Sequence, residues 1–259
     1  MHLSARRKWS VLTRAALIAG LLAMPAFAPA APTAQADPQP SQHRGRMPAE
    51  KDLDRHLAFL ARKDRLIKTG GTDVVFVGDS ITDWWRNDPQ REIFEDYFGR
   101  FRPYNIGIAG DETQHVLWRI DHGELDGLTP KLVVLMIGTN NLANANRMGP
   151  AETADGVAAV VEAIRRKLPG ARILLLGIFP RGNRSDDPLR LAVNATNTLI
   201  AGLADRKTVF YLDVGPEFLA PDGTLPGDLM PDYLHPNARG YQIWADAMKR
   251  EIDTLTRGR

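Results

Sequence analysis

The sequence predicts an α/β fold: a five-stranded parallel sheet, flavodoxin-like in strand order, held between helices in a three-layer α/β/α arrangement. Three observations predict it. Five short apolar runs rich in β-branched residues read as strands buried on both faces. Segments with helical periodicity alternate with them, which demands right-handed crossovers and a parallel sheet. Gly-bearing polar turns follow the first three runs, where an open parallel sheet places its reactive crevice.

Residues 1–36 stand outside that argument. Arg6, Arg7, Lys8 and Arg14 precede the apolar run AALIAGLLAM, and a small-residue cleavage site ends at Ala36. That layout is read as a cleavable export signal, too short and Pro-interrupted for a membrane span. The expected location is therefore secreted or periplasmic, with no integral membrane segment after signal removal. Residues 37–46, DPQPSQHRGR, have no apolar period and read as a flexible leader. One domain is expected over 47–259, since about 220 residues suffice for a full core.

Along that domain a helix is expected after Pro48, with Leu53, Leu57, Leu60 and Ile67 at helical spacing. The strands are DVVFVG (73–78), YNIGI (104–108), KLVVLMIG (131–138), ARILLLGI (171–178) and TVFYLDV (208–214). Helices are expected at 112–122, 151–168, 188–204 and 238–255.

The 33 basic and 31 acidic side chains become 29 and 31 once the four basic residues of 1–36 are removed. The isoelectric point near 8.9 thus belongs to the expected export signal and offers no case for nucleic-acid binding. With no cysteine, disulfides, thiolate metal sites and a lipid-anchored amino-terminal Cys are excluded. His115 and His122, seven apart and without partner acids, do not read as metal ligands. No cofactor and no metal are expected.

A serine hydroxyl needs a base, and the base needs a carboxylate to fix its tautomer. Ser80 after the first strand, with His235 and Asp232 in the loop DYLHP, supplies those three functions. Pro231 and Pro236 keep that loop from being helical. The oxyanion requires preorganised donors, read here as the amides of Ser80 and Gly110 and the side-chain amide of Asn140. Asp79 is read as structural. Trp84 and Trp85 offer one ring to the core and one to the mouth of the site as a platform. Arg181 and Arg184 read as solvated loop charges, with anion binding as the rarer alternative, and Trp118 and Trp244 as core.

These residues resemble a known family. VVFVGDSITDWW, IAGDETQHV, IGTNN and DYLHP are similar to the motif blocks of the SGNH (GDSL) hydrolases, whose four letters fall on Ser80, Gly110, Asn140 and His235. GDETQHVLWRI, HGEL, LLGIFPRG and DPLR resemble the catalytic subunits of platelet-activating-factor acetylhydrolase, over roughly residues 55–250. Asn141 stands where many members have Asp, and the acetylhydrolase-like branch shares that Asn. The resemblance implies a serine esterase of short, acetyl esters acting through an acyl-Ser80 intermediate, and Ile81, Thr139 and Leu234, which flank the expected catalytic residues, are branched enough to shorten an acyl pocket. The alcohol half stays open between glycan and phospholipid. Other readings are a carbohydrate O-acetyl esterase, a lysophospholipase or thioesterase for longer chains, an acyltransferase, and a carbohydrate- or lipid-binding module of the same fold. The resemblance leaves a homodimer open; the sequence does not decide the oligomeric state.

Overall fold

A computed structural model describes residues 44–144 and 147–257 of the 259-residue chain. The expected signal, 1–36, and residues 37–43 of the expected leader lie outside the described residues. Arg44–Arg46, the last three residues of that leader, form a 3-10 turn. They are bound: the Thr113 hydroxyl donates to the Gly45 carbonyl at 2.8 Å, and Arg44 pairs with Glu152.

Helix α1 spans Leu53–Lys68 and is capped by the Asp52 carboxylate, which accepts from the Arg55 N–H. Pro48 lies ahead of it, not in its first turn. The helix also turns a different face inward from the one expected. His56, Phe59 and Lys63 are buried while Leu53, Leu57 and Ile67 are exposed. Both stripes have helical spacing, so periodicity alone could not choose between them; the Lys63 ammonium, donating to the Gly123 carbonyl at 2.7 Å, is tolerated because it has that partner.

Strand β1 (Val74–Gly78) leads directly into the one-turn helix α2 (Ser80–Asp83). Helix α3 (Gln90–Phe98) was not expected; it buries Phe94 and Phe98, an i, i+4 pair among charged neighbours. Then come β2 (Tyr104–Asn105), α4 (Thr113–Asp121), β3 (Leu132–Met136), α5 (Thr139–Ala143), α6 (Pro150–Lys167), β4 (Arg172–Leu176), α7 (Pro188–Ala201), β5 (Val209–Leu212) and α8 (Ala238–Thr256). The sheet is parallel throughout, in the order β2-β1-β3-β4-β5, the flavodoxin-like order.

Alternation along β1 divides the interior. Val75 and Val77 join a core with α1, α4, α6 and α7, while Val74 and Phe76 join one with α3 and α8. The second is the aromatic side: Trp85, Phe94, Phe98, Tyr241 and Trp244 form a continuous set of ring contacts. Each such side chain withdrawn from water contributes about 1.5–3 kcal/mol. Trp118 departs from its expected core position; it is half-buried, its ring stacked on His122 at 4.0 Å.

Candidate active site

The position of Ser80, the expected nucleophile, begins with a glycine. A Cβ on Gly78 would stand 2.5 Å from the Met136 carbonyl oxygen, so only glycine lets β1 end against β3 and turn at once into α2. Asp79 caps α2, its carboxylate accepting from the Ile81 N–H at 3.0 Å. Ser80 is the first helical residue, so its N–H has no acceptor within the helix.

His235, the expected base, comes from the other end of the chain. Tyr233 has φ of 55°, a left-handed conformation that costs a non-glycine residue about 1–3 kcal/mol. It is held by two backbone hydrogen bonds, Tyr233 N–H to the Met230 carbonyl and Gly182 N–H to the Tyr233 carbonyl. This bend returns the chain over Asp232, whose Oδ1 accepts from the amides of Leu234 (3.1 Å) and His235 (2.7 Å). Immediately downstream, α8 is fastened to α2 by Tyr241, whose buried hydroxyl donates to the Ile81 carbonyl at 2.6 Å.

These constraints bring the three residues together. His235 Nδ1 lies 2.6 Å from Asp232 Oδ2, and His235 Nε2 lies 2.8 Å from Ser80 Oγ. Partial burial acts to raise the Asp232 pKa, but hydrogen bonds from the His235 amide and ring and from the Leu234 amide outweigh it and hold the carboxyl below its ordinary value. An ionised Asp232 can only accept, so Nδ1 carries the proton and Nε2 is free to accept from the Ser80 hydroxyl. The Trp84 indole stacks on the His235 ring, centroids 4.0 Å apart and planes inclined by 22°. That contact restrains rotation of the imidazole, and an aromatic face favours a cation beside it.

The residues expected to supply oxyanion donors follow neighbouring strands, Ser80 after β1, Gly110 after β2 and Asn140 after β3. Gly110 has φ of 77° in a turn closed by Asp111 N–H to the Ile108 carbonyl, and Ile108 N–H donates to the Gly78 carbonyl. The Asn140 amide donates to the Asp111 carbonyl at 2.9 Å, which ties it to the same turn and leaves its second N–H available. Asn141 faces elsewhere: 1% exposed, it accepts from Thr113 N–H and donates to the Thr113 hydroxyl.

Only one of the five pocket candidates lines the cavity beside the triad. That cavity, about 420 Å³, is walled by Trp84, Gln90, Pro231, Asp232, His235, Pro236 and Asn237. Trp85 is instead fully buried, and Ile81 packs in the same core; Trp84 and Trp85 open a 3-10 turn, where adjacent residues point roughly 120° apart and cannot share a face. Thr139 is buried, its hydroxyl accepting from Arg181 at 3.1 Å. Leu234 packs against the α3/α8 core.

Arg181 is correspondingly half-buried and not a solvated loop charge, whereas Arg184 is exposed and paired with Asp186. His115 caps α4, accepting from Glu112 N–H at 2.9 Å. The groups missed by sequence reasoning are Asp83, Lys51 and the buried charges Asp111, Arg119 and Glu124. Arg119 between Val116 and Ile120 on the inward side of α4 was the available signal, since a charge in an apolar stripe implies a buried partner.

Residues 76–243 match the family described as GDSL-like lipase/acylhydrolase. The alpha1 subunit of human platelet-activating factor acetylhydrolase IB is 39% identical over 170 residues, covering 65% of this chain and 70% of its own. The rat alpha2 subunit is 35% identical over 197 residues, 74% of this chain and 82% of its own. Among solved structures, a GDSL-like lipase from Bacteroides thetaiotaomicron superposes with a TM-score of 0.64 at 22% identity, over 77% of this chain and 97% of that one. An acetylxylan esterase from Geobacillus stearothermophilus superposes at 0.54 and 21%, over 70% and 94%. At those identities the superpositions speak for the fold.

Proposed function

The chain belongs to the GDSL-like lipase/acylhydrolase family and is an ester-cleaving acylhydrolase, and from that premise we propose that it is an exported serine esterase of short acyl groups, acetyl first among them. The observation that carries the mechanism is the unbroken chain Ser80 Oγ, His235 Nε2, His235 Nδ1, Asp232 Oδ2, with links of 2.8 and 2.6 Å.

In this reading His235 removes the hydroxyl proton as Ser80 Oγ bonds to the ester carbon. The carbonyl oxygen takes up negative charge against the amides of Ser80 and Gly110 and the side chain of Asn140. The bond to the alcohol oxygen then breaks, and His235 returns its proton to that oxygen. Water, deprotonated by the same imidazole, attacks acyl-Ser80 and releases the carboxylic acid and the free hydroxyl.

The acetyl preference rests on the acetylhydrolase relatives. The alcohol half is assigned to the cavity at Trp84, because its walls include His235 and Asp232 but neither Gly110 nor Asn140. It therefore opens on the side where the departing oxygen is protonated, with room for a bulky alcohol and an indole edge for a saccharide or lipid backbone.

The test is hydrolysis of a chromogenic acetyl ester by the wild type and by Ser80→Ala. The variant should stay folded and lose nearly all activity, about 10⁴-fold or more. A fluorophosphonate found on another serine, with Ser80→Ala still active, would remove the assignment. Acetate release from acetylated xylan fragments, measured against an acetylated phospholipid, then decides the alcohol.

A further inference from the structure

Lys51 lies outside every motif, on the segment ahead of α1, and its ammonium touches the turn that carries Gly110. It donates to the Ala109 carbonyl at 2.5 Å and to Asp111 Oδ1 at 3.2 Å. The rest of the turn is held from three further directions. Ala109 N–H donates to Asp83 Oδ2 at 3.1 Å. Asp111 Oδ2 accepts from Arg119 Nε and Nη2 at 3.1 and 2.8 Å, and the Asp111 carbonyl accepts from Asn140.

The Ala109 carbonyl and the Gly110 N–H belong to one peptide unit. That unit is planar and trans, so its oxygen and its hydrogen point in opposite directions. Whatever holds the oxygen also aims the hydrogen. This peptide is the central one of the turn Ile108–Asp111, and Gly110 at φ 77° occupies the third position of a type II turn. Reversing that peptide converts a type II turn to type I, an exchange that glycine at this position permits sterically. Ala109 is exposed, so no wall of side chains blocks the reversal.

We infer that Lys51 is a positioning residue for ester hydrolysis: by gripping the Ala109 carbonyl it keeps the Gly110 amide turned toward the oxyanion. The inference rests on the reading of Gly110 as an oxyanion donor. Asp111, 1% exposed and pinned by the buried Arg119, which also pairs with the fully buried Glu124, is the fixed post to which the ammonium is tied. The three form one buried charge network, so removing any of them unbalances it at a cost in stability. Lys51, with its side chain 32% exposed, can be replaced without that penalty.

The experiment compares wild type, Lys51→Met and Lys51→Arg on one short acetyl ester, each assayed well below its own Tm so that the folded population is the same. Lys51→Met should lower kcat by about 10-fold or more, toward the about 10²–10³-fold loss of one oxyanion donor, with KM within about twofold. Lys51→Arg, which keeps a cation for the carbonyl, should recover most of the loss. The second-order rate of Ser80 labelling by a fluorophosphonate, whose tetrahedral adduct also places an oxygen at these donors, should fall in Lys51→Met. An active wild type with Lys51→Met equal to it in kcat and in labelling overturns the positioning role alone. A raised KM at unchanged kcat overturns it too, because Lys51 would then be a substrate contact. A wild type inert to both the ester and the fluorophosphonate overturns the esterase reading, and this inference with it.

Discussion

At Asn140 one amide hydrogen is spent on the Asp111 carbonyl, and that bond is what aims the other. If the second N–H meets the developing oxyanion, its contribution appears in the transition state more than in the ground state. Asn140→Ala should therefore lower kcat by about 10²–10³-fold with little change in KM, read from steady-state kinetics on a short ester. Asn141→Ala should show the opposite pattern. Its side chain accepts from the buried Thr113 N–H, so the loss leaves that group unsatisfied at a cost of about 1–3 kcal/mol, seen as a lower Tm with a much smaller change in kcat. Should Asn141 be the position that damages kcat and Asn140 the tolerant one, the oxyanion assignment would have to be withdrawn.

Helix α2 carries its cap residue in an unusual state. Burial, opposed by the Ile81 N–H bond and reinforced by the Asp111 charge, pushes the Asp79 carboxyl up to about 7. The folded protein thus keeps a proton that the unfolded chain has released above the ordinary carboxylate range, about pH 4. Stability from this group is highest below pH 4 and falls as pH rises to about 7, then levels. Asp79→Asn retains the acceptor for Ile81 and removes the charge. Its stability relative to wild type should climb between about pH 4 and 7, by an amount on the order of a few kcal/mol, read as a growing difference in Tm; a difference independent of pH would show that Asp79 is ionised throughout. Helix α6 offers a second test. A Cβ at Gly156 would meet the Thr113 hydroxyl oxygen at 2.4 Å and the Gly45 carbonyl at 3.0 Å. Gly156→Ala should destabilise, despite the about 1 kcal/mol that alanine gains in a helix interior, because α4 and the 44–46 turn sit against that face. A raised Tm in thermal unfolding would refute the close approach.

For the chain as a whole, residues 44–46 extend the packed domain toward the amino terminus beyond the expected start at 47. A chain beginning at residue 37, the amino terminus that export with cleavage after Ala36 would produce, should melt with full stability and hydrolyse esters. One beginning at 48 lacks the Gly45 carbonyl that accepts from the Thr113 hydroxyl and the Arg44 guanidinium that pairs with Glu152, and should lose about 1–3 kcal/mol, about 2–4 °C of Tm for each kcal/mol at this size. Equal melting curves for the two chains would mean that the turn contributes nothing. The export proposal itself is checked by the amino-terminal residue of protein recovered outside the cytoplasm.

Much of this was legible in the linear order of residues. Fully apolar runs alternating with helical periods determine a parallel sheet, because each crossover has to cover one of its two faces. Polar residues in the loops beyond those runs could be read by type and spacing, and Ser80, His235 and Asp232 among them are the ones the fold brings within hydrogen-bond distance. The choices between equivalent faces were not legible. Leu57 and Phe59 both recur at helical spacing on α1, and Trp84 and Trp85 are neighbours of like chemistry; which one turns inward depends on what the opposite element supplies. The same is true of Lys51, which meets Ala109 58 residues away. Local pattern determines what a segment is, whereas orientation is decided by partners distant in sequence, whose carbonyls and carboxylates exist as a site only after the sheet has brought them together.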